Sequence, residues 1–199
     1  MGATARRIYM KNQKIKRMVT LSLLAAIVVV LQMLGGYFRI GPVSLSLVLV
    51  PIVLGSALLG EKAGAFLGAV FSVVVIVYCV NGMDVGGAMV WNANPAICFL
   101  VVMAKGIMAG YLSGLVYKAF SKKNRYLAML LAAITAPVVN TGIFVSSLFI
   151  FFKDVLDVWA EGGNVVIYVL SGLVLLNFVP ELIINIMMSP ASARLIKEK

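Results

Sequence analysis

Three polar residues, Lys105, Asn140 and Asn177, interrupt long apolar segments in the second half of the sequence. A charged or amide side chain in such a segment is costly unless it faces a cavity, water or a polar partner. Counted from the segment ends, all three lie roughly 15 to 18 Å below one surface at the helical rise of 1.5 Å per residue. They are predicted to form a ligand site, in which we include Thr141, and a lysine there would suit a carboxylate or phosphate group.

The alternative interpretation of these residues is structural. Lys105 would pair with Glu181, and the two asparagines would only form hydrogen bonds between helices. Glu181 lies four residues after Asn177 and four before Asn185, so these three are expected on one helix face. The sequence leaves both interpretations open.

A second polar group is expected near the membrane surface above that site. Trp91, Asn92 and Asn94 precede the segment of Lys105, while Arg39 and Asp84 follow the first and third apolar segments. These five residues are predicted on the same side of the membrane, where they could cover a binding pocket. An interfacial belt of aromatic residues would explain Trp91 equally well.

The composition excludes several classes of protein. Hydrophobic residues make up 62% and charged residues 12% of the 199 residues, so lipid is the expected solvent. The net charge of +10 does not indicate nucleic acid binding, because the basic residues cluster between apolar segments. There is no histidine, no Gly-x-x-x-x-Gly-Lys phosphate loop and no Ser or Cys nucleophile beside a plausible base. We expect neither an enzyme nor a metal or cofactor site.

Six segments approach the length of about 20 residues that a spanning helix needs. The expected fold is an all-α membrane protein, a six-transmembrane-helix bundle with both termini in the cytoplasm. We expect a basic cytoplasmic tail at 1–14, a substrate-binding domain at 15–190 and a second basic tail at 191–199. The predicted spans are 18–36, 43–59, 63–80, 96–120, 126–152 and 165–188.

The orientation follows from the distribution of positive charge. All of the 17 lysines and arginines except Arg39, Lys105 and Lys153 fall on the side of the N-terminus if six helices cross the membrane. Loops rich in lysine and arginine stay in the cytoplasm. The protein is therefore predicted to lie in the cell membrane as a multi-pass protein.

Small residues and cysteines have packing interpretations. Glycines recur every four residues at 60–68 and at 106–114, a spacing that lets two membrane helices approach closely. Cys79 and Cys98 lie near the outer ends of neighbouring segments, where buried thiols are favoured over a disulfide.

Several stretches together resemble the substrate-binding S components of energy-coupling factor (ECF) vitamin transporters. They are the basic N-terminus, 19–26 (VTLSLLAA), 39–42 (RIGP), 105–117 and 137–142 (PVVNTG). The resemblance implies that a membrane-embedded protein captures a vitamin from outside with its first outer loop and its last three helices.

The resemblance also implies partners. In such transporters a module of one transmembrane T component and two ATPases drives release of the substrate inward. The family's Ala-x-x-x-Ala docking pattern on the first helix corresponds here to Ser22 and Ala26, beside Ala25. An acidic vitamin such as pantothenate is the first substrate suggested, with riboflavin next. A stand-alone ion-coupled transporter and a membrane scaffold are the alternatives.

Overall fold

A computed structural model describes residues 3–35, 39–40, 43–44 and 47–196, with side chains described for 12–35 and 47–196 except residue 177. Two short strands, β1 (Arg39–Ile40) and β2 (Val43–Ser44), pair antiparallel. The rest of the described chain is predominantly helical. The helices are α1 (Ala3–Gly35), α2 (Leu49–Leu59), α3 (Glu61–Val80), α4 (Val85–Ala93), α5 (Pro95–Phe120), α6 (Arg125–Phe151), α7 (Lys153–Trp159), α8 (Val165–Tyr168) and α9 (Val179–Leu195), with a π-helical stretch, Val169–Phe178, between the last two.

Five helical segments are long and apolar enough to cross a membrane. They are Asn12–Gly35, Glu61–Val80, Pro95–Phe120, Arg125–Phe151 and Val165–Leu195. The prediction of a helical membrane protein is confirmed, and five of the six predicted spans correspond to these segments. We call the side where α3 and α6 begin and α5 and α9 end the basic end, because several lysines and arginines lie there: Lys62, Lys118, Lys122, Arg125 and Arg194.

The second predicted span, 43–59, differs from its prediction. Helix α2 covers only Leu49–Leu59, which is about 16 Å at the helical rise and shorter than a bilayer core. Its start is consistent with Pro51, since proline has no N–H to donate and is best tolerated in the first helical turn. Much of α2 is buried in the bundle, with Leu49 and Ile52 fully enclosed, so surrounding protein replaces lipid as its environment.

The predicted glycine packing is confirmed between α3 and α5. A Cβ atom placed on Gly68 would collide with the carbonyl oxygen of Gly106, and one on Gly110 with that of Gly64. The hydroxyl of Ser72 adds a hydrogen bond of 2.7 Å to the Val102 carbonyl oxygen. The backbones of these two helices therefore touch along much of their length.

Two short helices, α4 and α7, occupy stretches that were predicted only as outer loops. Each buries a few residues at helical spacing, such as Gly86 and Val90 in α4. In α7, Val155, Leu156 and Trp159 are buried. Both helices lie at the end of the bundle opposite the basic end.

The last span is irregular because it contains Pro180 and Pro190. The π-helical stretch ends at Phe178, just before Pro180, and such stretches arise where the regular hydrogen-bond ladder is interrupted. Pro190 cannot donate to the carbonyl of Ile186, and the Ser189 hydroxyl donates to that oxygen instead, at 2.8 Å.

Candidate functional site

A small cavity of about 30 Å³ lies between α3, α4, α5 and α6, at the end opposite the basic end. Lys105 and Asp84, both predicted as site residues, line it together with thiols and apolar side chains. Lys105 lies ten residues after the start of α5, about 15 Å from that end, so the cavity wall reaches toward the middle of the bundle. Its remaining lining includes Val75, Cys79, Gly87, Cys98 and Phe144.

Lys105 turns its charge toward an aromatic ring. Its Nζ atom lies 4.7 Å from the centre of the Phe144 ring, a cation–π distance. Among the described residues, a salt bridge joins Lys118 Nζ and Glu61 Oε1 at 3.1 Å. The ammonium of Lys105 and the carboxylate of Glu181 are more than 4.0 Å apart. The alternative in which Lys105 pairs with Glu181 is therefore not the arrangement found.

Asp84 and Gly87 form the wall contributed by α4. Asp84 is the residue before the helix and is half-buried, but its carboxylate does not cap the helix. A Cβ atom added to Gly87 would collide with the sulfur of Cys79 and lie 3.0 Å from Oδ2 of Asp84. Only a glycine at this position leaves room beside the carboxylate.

The two cysteines are free and buried, as predicted. Their place in the cavity wall, and that of Phe144, was not predicted. The spacing carried a signal for both, because Cys98 precedes Lys105 by two helical turns and Phe144 follows Asn140 by one. Listing the residues one or two helical turns from each polar residue would have identified Cys98 and Phe144.

Asn140 does not line this cavity. It is 6% exposed, and its Oδ1 atom has no hydrogen-bond partner among the side chains that the structure describes. Thr141 is half-buried beside it and is also not among the lining residues. The side chain of Asn177 lies outside the described residues. Of the three polar residues predicted to converge, Lys105 lines this cavity, Asn140 does not, and Asn177 stays a prediction.

A second polar layer lies deeper, between α6 and α9. Arg125 Nη1, at the start of α6, donates to the carbonyl oxygen of Ile196, just after α9, at 3.5 Å. Glu181 and Asn185 are buried, and within the described part of the chain each has one side-chain oxygen without a partner. Asn185 Nδ2 donates to the Glu181 carbonyl oxygen at 2.8 Å.

The remaining predicted pocket residues lie around α4. Trp91 packs against the hydrophobic core, whereas Asn92 is exposed. Asn94 accepts a hydrogen bond of 3.1 Å from the Ile97 amide and so caps α5, where Pro95 is the first residue. Arg39 pairs with Ser44 across the hairpin, and its side chain lies outside the described residues.

The residues predicted for partner docking lie on α1. Ser22 and Ala26 are exposed, and Ala25 is partly buried against the core. The opposite face of the helix packs inward through Leu24 and Val28. The small residues are thus on a surface that a second helix could reach.

A helical membrane bundle with a cavity lined by a half-buried lysine and a carboxylate is typical of a membrane protein that binds a solute. The chain belongs to the family of ECF transporter substrate-specific components, whose family model matches residues 16–192. The family predicted from the sequence is thereby confirmed.

The chain is also similar to the pantothenic acid transporter PanT of Lactococcus lactis subsp. cremoris strain MG1363. The two are 28% identical over 194 residues, which cover 92% of this chain and 94% of that protein.

Proposed function

We propose that this protein captures pantothenate at the cavity between α3, α4, α5 and α6 and presents it to an ECF module for uptake. Lys105 carries the proposal, because it is a half-buried cation that lines a cavity and has no carboxylate within 4.0 Å among the described residues. A substrate carboxylate would place an anion within that distance of Lys105. The similarity to a pantothenic acid transporter favours this vitamin over riboflavin, which has no carboxylate.

The other cavity groups suit the rest of the molecule. Pantothenate also carries two hydroxyl groups and an amide N–H, and Asp84 can accept hydrogen bonds from any of them. Phe144, Val75 and Val90 offer apolar contact to its dimethyl carbon. The expected order is that the carboxylate lies deepest, at Lys105, and the hydroxyl end lies toward α4.

Binding requires the cavity to widen. Its volume of about 30 Å³ suffices for a water molecule or two, whereas ligand pockets in proteins usually occupy about 300 Å³ or more. Helix α4 is the wall best able to move, since it is short and buries only Gly86 and Val90. We infer that its displacement admits the substrate.

We infer further that the basic end faces the cytoplasm, as the positive-inside rule predicts, so that the cavity lies toward the outside. Both termini would then be cytoplasmic. The exposed pair Ser22 and Ala26 would contact the transmembrane T component, and the two ATPases of that module would supply the energy for release.

The test is to measure binding of pantothenate and of pantothenol, in which an alcohol replaces the carboxylate, to the purified protein. Lys105→Gln should weaken pantothenate binding by about tenfold or more, because hydrogen bonds to charged groups contribute about 1.5–3 kcal/mol. It should change the much weaker pantothenol binding little. Lys62→Gln, at the exposed basic end, is the matched control.

Two results would contradict the proposal. Unchanged pantothenate affinity in Lys105→Gln would remove this lysine from the site. Tighter binding of riboflavin than of pantothenate by the unaltered protein would replace the substrate.

A further inference from the structure

The basic end carries a groove of about 930 Å³, separate from the cavity at Lys105. The ends of α2, α6 and α9, the turn after α5 and the start of the membrane-spanning part of α1 surround it. Lys16 and Lys122 extend into it from α1 and from that turn, and Arg125 comes from the start of α6. We refer to this feature as the basic groove.

The described charged residues that line the groove are all basic. None of the described residues that line the groove is acidic. Lys16 and Lys122 are exposed, and neither takes part in an ion pair in the described part of the chain. Like charges gathered in one concavity favour an anion between them.

Arg125 is held in position on the groove wall. Its guanidinium donates to the Ile196 carbonyl oxygen and to the Tyr126 hydroxyl, both at 3.5 Å, and lies 5.1 Å from the centre of the Tyr126 ring. A fixed guanidinium loses less side-chain entropy when it binds an oxyanion than a free one would.

The groove also has an apolar side. Leu58 and Ala57 of α2 and Leu195 of α9 line it, and Leu195 is 65% exposed. Because these are the ends of helices in a membrane bundle, the groove lies at the level of the lipid headgroups. Its ligand should therefore combine an anionic head with an apolar tail.

We propose that the basic groove binds an anionic phospholipid, with the phosphate between Lys16, Lys122 and Arg125 and an acyl chain along Leu58 and Leu195. Basic pockets between membrane helices bind such headgroups by charge and hydrogen bonding. Free phosphate would match the charges but leave the apolar side unused. An acidic segment of a partner protein would match the charges but not the depth in the membrane.

The experiment compares binding of phosphatidylglycerol and phosphatidylcholine with equal acyl chains, counted by native mass spectrometry of the purified protein. The unaltered protein should prefer phosphatidylglycerol, and K16Q/K122Q should lower that preference by about tenfold or more, since each basic residue near an anionic headgroup contributes about a fivefold effect. K62Q/K123Q removes the same charge from exposed residues that do not line the groove and should change it less than about threefold.

Three outcomes would overturn the proposal. Equal losses in the two double variants would mean that only general charge attraction acts. Displacement of the lipid by millimolar inorganic phosphate would indicate a free-phosphate site. Unchanged lipid preference in K16Q/K122Q, with impaired assembly with a partner module, would assign the groove to a protein. Equal melting temperatures of K16Q/K122Q and K62Q/K123Q in phosphatidylcholine alone verify that both double variants are folded.

Discussion

At the scale of single residues, the cavity depends on the lack of a side chain at Gly87 as much as on the charge of Lys105. Lys105 provides a cation about 15 Å deep, where water cannot fully solvate it. Gly87 provides the space next to Asp84, since any side chain there would collide with Cys79. The site is thus defined by one ammonium, one carboxylate and the room between them.

We predict that Gly87→Ala abolishes measurable pantothenate binding, while the protein stays folded with a melting temperature lowered by a few degrees. The added methyl group occupies the space beside Asp84, and the sulfur of Cys79 must shift to accommodate it. Isothermal titration calorimetry and thermal unfolding of the same preparation measure the two effects.

The control for Gly87→Ala is Gly142→Ala on α6, where a Cβ atom would meet nothing within 4 Å. That variant should bind as the unaltered protein does. Retained affinity in Gly87→Ala would show that the substrate does not pass or occupy this point.

At the scale of helices, α3 and α5 form the frame against which the other elements pack. Their contact is made by backbone atoms, because glycines face glycines at Gly64 with Gly110 and at Gly68 with Gly106. In a membrane this close approach replaces the hydrophobic drive that water would provide. Stability should therefore respond sharply to small changes in this contact.

Gly68→Ala and Gly110→Ala are each expected to destabilise the protein by about 1–3 kcal/mol, the usual cost of overpacking a tight contact. The melting temperature in detergent should fall by several degrees. Gly142→Ala serves again as the control, since alanine favours a helix over glycine and its methyl group has open space there. A melting temperature unchanged by Gly68→Ala would mean that α3 and α5 can move apart at this contact without loss of stability.

The sequence identified these helices well and their shared cavity less well. Long apolar segments and the glycine spacing are local signals, and both led to correct predictions for α3 and α5. The cavity depends on which helix faces meet, which a single polar residue such as Asn140 does not specify. Helix α4 was not predicted, because its two buried residues, Gly86 and Val90, give too weak a periodic pattern.

At the scale of the whole molecule, the bundle has two chemically different ends. One end is rich in lysine and arginine around the basic groove, and the other carries the cavity, α4 and α7. Trp159 of α7 donates to the sulfur of Met89 on α4 at 3.2 Å, so the two short helices are joined across that end. Under the proposed function, substrate capture belongs to the cavity and partner contact to Ser22 and Ala26 on α1, which are different parts of the surface.

This separation predicts that docking can be blocked without loss of binding. The double variant Ser22→Leu/Ala26→Leu should reduce co-purification with a T component and its ATPases by about tenfold or more, because bulky side chains prevent close helix contact. Its affinity for pantothenate should stay within about twofold, since neither residue lines the cavity.

Leu34→Phe is the control for this variant, since Leu34 is an exposed residue near the other end of the same helix. It should assemble normally. Equal assembly of the double variant would place the docking surface elsewhere.

The touching backbones of α3 and α5 also restrict how a vitamin can reach Lys105. Two helices that are already in contact along their length form a fixed wall, and neither can tilt away without breaking the glycine interface as a whole. We therefore expect the cavity to open by an outward displacement of α4, the short helix in its wall. A pair of spin labels on α4 and α5 should report a ligand-dependent distance, and a pair on α3 and α5 a constant one.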